Sequence, residues 1–208
     1  MKLIKQIFLV LALLVTPYAF AAPEAGKGYT LINPPQPIST GKKIEVLEFF
    51  FYGCGHCFKL HPLLSNMEKK MPKDVELVYM PTIFSNSMEP MARTFYALEF
   101  MGQRSKLHDA LFNAWNVDNI DLSDEARITE FVAQRGVDRK KFGDAYNAFA
   151  MQSKVTRSKQ LAQSYGIRGV PTLIVDGKYM ITGLRPAEAM LALDAALDQA
   201  RKERAGKR

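Results

Sequence analysis

From Ile44 to Phe51 the chain is apolar or aromatic at every position except Glu45 and Glu48. A run of this kind suits a strand covered on both faces. Tyr52-Gly53 predicts a turn, and Phe58 to Lys70 reads as a helix that Pro62 should kink, because proline lacks a backbone donor and crowds the preceding turn. Asp74 to Met80 returns to strand character. From about Met88 to Tyr165 the pattern is helical, with stops expected at Gly102, Gly136 and Gly166. Within it Phe142, Ala145, Tyr146 and Phe149 follow i, i+3, i+4, i+7 spacing and should face a core. Ser123 and Asp138 suit N-caps.

Strand signals return at Thr172 to Val175 and at Lys178 to Ile181, separated by Asp176-Gly177. An Asp-Gly pair between two such runs is a hairpin signature. Pro186 can open a last helix, whose stripe Met190, Leu193 and Leu197 should pack inward. The order is therefore strand, helix, strand, helical block, hairpin, helix, which is an α/β chain. No internal repeat or low-complexity segment interrupts it.

The first residues are of a different kind. Lys2 and Lys5 precede a short apolar run, Ile7 to Val15, then Pro17 and the small-residue pattern Ala19-Phe20-Ala21. This is the layout of a secretory signal peptide cleaved near Ala21, since the run is too short for a membrane span. The formal net charge of +7 is a mild excess, densest in the last eight residues, where a solvated terminus is the expectation. No basic stretch is interleaved with aromatics, so nucleic acid is not an expected partner.

Composition matters most at the cysteines. There are two, Cys54 and Cys57, three positions apart. A disulfide between them closes so short a loop that it adds only about 2 kcal/mol, against about 3 for a fifteen-residue loop. Chemistry is a better use of the pair than stapling. Cys54 falls where a strand gives way to a helix, and unpaired amides and the helix dipole there favour a thiolate. His56 can add a donor or a positive charge. Cys57 lies one turn on, close enough to resolve the attack. On this reading Cys54 attacks with a thiol pKa near 4.5, a value within the range for such positions. A structural zinc site needs four ligands, and only His56, His61 and His108 are available to join the pair. A carrier of soft metal through two thiolates stays open. Glu48, amid Leu47, Phe49 and Phe50, is costly to bury charged, so its pKa should rise unless it reaches solvent at the strand end.

Phe51-Tyr52-Gly53-Cys54-Gly55-His56-Cys57 after a buried strand, with Gly169-Val170-Pro171-Thr172 far along the chain, resembles the thioredoxin superfamily. The leader, the helical block and the Val-Pro pair together resemble the DsbA-type periplasmic dithiol oxidases of bacteria. That resemblance implies a thioredoxin-like domain over residues 22–85 and 166–208, interrupted by a helical domain over 86–165. It implies that Pro171 is cis and faces the cysteines, and that Val170 offers its backbone to an extended substrate. It also implies that Glu48 moves protons to and from the buried cysteine. The only redox group would be the Cys54–Cys57 disulfide, with no organic cofactor or metal. Substrates would be unfolded exported proteins, the reoxidant a membrane quinone-linked protein of the DsbB type, and the chain a monomer in the periplasm.

Two positions depart from the family pattern. Gly55 stands where the best-known member has proline, and Tyr79 stands at the place that matches the lysine pairing with the buried glutamate there. Rival readings are a disulfide isomerase or reductase, a copper carrier, and a redox-inert chaperone.

Overall fold

A computed structural model describes residues 28–206. The expected signal peptide therefore lies outside the described residues. The sheet has five strands: β1 Thr30–Leu31, β2 Ile44–Phe50, β3 Val75–Pro81, β4 Thr172–Val175 and β5 Tyr179–Thr182, in the spatial order β1-β5-β4-β2-β3. β2 and β3 run parallel and the other neighbours are antiparallel. All seven residues of β2 are buried, as a strand between two packed layers requires. β1, only two residues long, had no legible signal and gains its place by pairing with β5.

The helices are α1 Gly55–Lys69, α2 Glu89–Phe100, α3 Arg104–Asn116, α4 Glu125–Ala133, α5 Arg139–Tyr146, α6 Phe149–Ser164 and α7 Pro186–Ala205, with a short 3-10 turn at Asn86–Met88. α1 begins three residues before the expected start and continues through Pro62 without a break. Leu60 and Leu64 on either side of the proline are buried, so packing offsets the lost backbone bond. α2 to α6 occupy the chain between β3 and β4. A single apolar cluster joins them to the sheet, linking Phe49 and Phe50 with Phe95, Leu111 and Phe142. On a second cluster Ile44 and Val46 pack with Leu60, Leu64, Leu193 and Leu197, which seats α1 and α7. Met190 is half-buried on the same cluster. Among the described residues no helix is long and apolar enough to cross a membrane.

Two local expectations are corrected. Asp124, not Ser123, caps α4, accepting from the Arg127 amide at 2.9 Å. Asp138 caps α5 as expected, accepting from the Lys141 amide at 2.8 Å. Phe149 does not face a core and is 87% exposed. α5 ends at Tyr146, and Ala148 is extended (φ −61°, ψ 143°), so Phe149 starts a new helix on a new axis and the seven-residue spacing loses its meaning.

The β4–β5 turn behaves as its sequence requires. Asp176 and Gly177 both have positive φ, 53° and 66°, the geometry of a tight hairpin that matches strand twist. At Gly177 a β-carbon would lie 2.0 Å from the Gln36 carbonyl oxygen. Gly177→Ala is therefore expected to cost about 2 kcal/mol or more, through the φ penalty and the backbone clash together. Denaturant melts check this, and a change within error of zero would mean that the 36–177 contact is absent.

Candidate active site

The site is built where β2 ends. The chain turns at Tyr52-Gly53, with the Cys54 amide donating to the Phe51 carbonyl at 3.0 Å. Cys54 is the N-cap of α1: its carbonyl accepts from the Phe58 amide at 2.9 Å, and its Sγ accepts from the Cys57 amide at 3.4 Å. An N-cap normally offers a hydroxyl or carboxylate oxygen to the exposed amides of the first turn. Here a sulfur takes that place, so the amides stabilise a thiolate.

The consequence is a thiol held at about 6 instead of 9.0. Hydrogen bonding from Cys57 is the largest cause, partial burial opposes it, and the backbone amides and His56 contribute the rest. The value is higher than the 4.5 expected, because the sulfur is half-buried and pays some desolvation. His56 itself is exposed. Cys57 is the opposite case. It is fully buried, and burial, the hydrogen bond with Cys54 and the nearby Glu48 carboxyl hold its proton firmly. The two cysteines are present as thiols of very different acidity.

Val170 and Pro171 come to the site from 116 and 117 residues away. The Val170–Pro171 bond is cis, and the Cys54 thiol donates to the Val170 carbonyl at 3.4 Å. Both residues are half-buried beside the sulfur. Thr172 secures the loop from behind, its hydroxyl donating to the Gly169 carbonyl at 2.8 Å.

Glu48 lies beneath, 1% exposed, with one carboxylate oxygen unpartnered. Glu45, three residues earlier on the same strand and equally buried, shows what satisfaction looks like: the Ser39 amide and hydroxyl donate to it at 2.7 and 2.5 Å. Lacking such donors, Glu48 is pushed up to about 8 by burial, then by the Cys54 and Glu68 charges. Tyr79 stands opposite Glu48 in the β2–β3 register, at the place matched to the family's lysine. Its hydroxyl does not supply a cation and instead donates to Glu68 at 2.9 Å, with the Arg104 guanidinium 4.8 Å over its ring.

Several residues that shape the site were missed by sequence reasoning, all on α3. Asn116 donates to the Tyr52 carbonyl at 2.8 Å, and Tyr52 Oη and His108 Nδ1 share a 2.6 Å hydrogen bond. A β-carbon at Gly53 would lie 2.5 Å from the Phe51 ring and 2.8 Å from Trp115 Nε1, so only glycine lets the turn pass this close. These contacts join residues 56 and 64 apart in sequence, and no local signal announces them. Gly55 is different. The nearest atom to a β-carbon there would be Asn116 Oδ1 at 3.9 Å, so the site would also accept a larger residue.

Comparison with known proteins decides the family. The model of the DSBA-like thioredoxin domain matches residues 80–193. Thiol:disulfide interchange protein DsbA of Burkholderia cepacia is 39% identical over 160 residues, 76% of each chain. The protein of the same name from Bordetella parapertussis is 37% identical over 183 residues, covering 86% of this chain and 87% of its own. The chain belongs to the DsbA family. The crystal structure of Pseudomonas aeruginosa DsbA superposes with a TM-score of 0.81 at 35% identity, over 88% of this chain and 96% of that one. The architecture is thus the DsbA-like thioredoxin fold, and this DsbA-family chain is a thiol–disulfide oxidoreductase.

Glu48 carries a measurable cost. The folded protein prefers its neutral form, so the penalty is absent below about pH 4.5, grows with pH and is complete above about 8. At pH 7 it amounts to about 3 kcal/mol. Glu48→Gln should stabilise the reduced protein by about 1–3 kcal/mol at pH 7 and by nothing at pH 4. Melts at the two pH values check this, and an equal effect at both would exclude a buried, proton-holding carboxyl.

Proposed function

We propose that this chain is a dithiol oxidase that donates disulfides to newly exported proteins through Cys54-Gly55-His56-Cys57. The observation that carries the reading is the unequal acidity of two thiols in one helical turn: Cys54 at about 6, and Cys57 buried and strongly protonated. A stabilised Cys54 thiolate favours the reduced enzyme, and an enzyme that favours reduction gives its disulfide away.

In the forward reaction a substrate thiolate attacks Cys54 Sγ of the oxidised pair. The Cys54–Cys57 bond breaks as the mixed disulfide forms, and Cys57 leaves with the electron pair and takes up a proton. A second substrate thiolate then attacks the mixed disulfide and expels Cys54 as thiolate. The substrate is oxidised by two electrons and the enzyme reduced by two. The Val170 backbone and Pro171 form the platform for the extended substrate, which the 3.4 Å approach of the Val170 carbonyl to Cys54 supports. Reoxidation falls to a membrane quinone-linked partner of the DsbB type. The disulfide is the only redox group, and the place of work is the periplasm, reached through the signal peptide ending near Ala21.

A reductase or isomerase reading draws on one observation. A thiol at about 6 lies nearer the thioredoxin value of about 7 than the DsbA value of about 3.5. Equilibration with glutathione buffers at pH 7 separates the readings. The oxidase should settle well above the roughly −270 mV of thioredoxin, toward the roughly −120 mV of DsbA. Cys57→Ser should accumulate mixed disulfides with thiol substrates, whereas Cys54→Ser should form none. A potential at or below that of thioredoxin would put the reductase first.

A further inference from the structure

Each turnover moves one proton to or from Cys57, which is sealed from solvent. Glu48 is its expected acceptor, yet Glu48 is itself 1% exposed and its buried Oε1 has no hydrogen-bond partner among the described residues. A second base lies nearby. His61 follows Cys57 by four residues on α1, so the two side chains are neighbours on one face of the helix. It is 6% exposed and stacks on Phe112, ring centroids 4.7 Å apart.

The two ring nitrogens of His61 have unlike surroundings. Nε2 donates to Asp109 Oδ1 at 2.7 Å, and the Asp109 side chain is 74% exposed. A carboxylate only accepts, so Nε2 carries a proton, and in the neutral ring Nδ1 carries the lone pair. Nδ1 is buried without a partner. An imidazole can accept a proton at one nitrogen and release one from the other. His61 thus has an unpaired acceptor inside and a bonded donor that reaches the surface.

We propose that His61 is a proton relay between Cys57 and solvent, by way of Asp109. When Cys57 attacks the mixed disulfide at Cys54, its proton passes to His61 Nδ1 and the Nε2 proton leaves through Asp109 to water. When Cys57 is the leaving group the same path runs inward. This rests on Cys57 being the leaving group of the oxidised pair, as proposed above. The titratable and charged groups on α1 and α3 around His61 are His56, Cys57, Lys59, Glu68, Lys69, Arg104, Lys106, His108 and Asp109, and of these Asp109 is the one hydrogen-bonded to it. His108, whose ring centroid is 4.7 Å away, offers no second exit: its Nδ1 is held by Tyr52, it is 3% exposed, and burial keeps it neutral.

The test is ring closure in a single turnover. The mixed disulfide of Cys54 with glutathione is prepared, and release of glutathione on attack by Cys57 is followed by rapid mixing from pH 5 to 9. His61→Phe keeps the stacked ring and removes both nitrogens. It should slow closure at pH 7 by about 10²-fold, the lower end for a lost acid–base group, and remove one ionisation from the pH profile. The Cys54 titration should be unchanged. Asp109→Asn, at an exposed position that folding tolerates, should slow closure several-fold. Wild-type rates and profiles in both variants would overturn the relay and leave His61 a packing residue. Slow closure with an unaltered pH profile would overturn it too. Because closure is read within the protein itself, a reducing potential in the glutathione equilibrium would sink the oxidase reading without touching this result.

Discussion

The site depends on one constraint: a sulfur occupies the N-cap of α1. Cys54 can accept from the first-turn amides only if β2 ends at Phe50, the chain turns sharply at Tyr52-Gly53, and the helix starts at once. The same short turn forces Cys57 inward, where burial gives it the opposite acid–base character. Three residues of spacing thus separate a thiol held at about 6 from one whose proton burial holds firmly. The buried carboxyl of Glu48, pushed up to about 8 by burial, lies beneath this pair and adds to the protonation of Cys57.

The helical block is part of this arrangement. α3 holds the turn through Asn116 and Tyr52–His108 and leaves no room for a side chain at residue 53. The shared apolar cluster makes that hold rigid, because Phe50 at the end of β2 packs edge-on against Tyr52, Phe95 and His108.

What could be read from the chain follows a physical divide. β2, the hairpin and the last helix were legible because local pattern and burial agree there, as in the run 44–51, apolar except at Glu45 and Glu48, and the Asp-Gly turn. The cysteine pair was legible because strand-to-helix placement and spacing state their own chemistry. Phe149 was misread because helical spacing was carried across the break between α5 and α6, where Ala148 is extended. β1, Asn116 and His108 left no trace, since each acts through partners 50 or more residues away. His61 was an intermediate case. Its place one turn after Cys57 was visible in the sequence, and its unpaired nitrogen was not.

The most direct measurement is an ultraviolet thiolate titration of the reduced protein, with Cys57→Ser to assign the signal. The account requires a single thiol ionising with a midpoint near 6, carried by Cys54, while Cys57 stays protonated throughout the neutral range. Two thiols ionising together at about 8.5, the value of a free cysteine, would contradict it.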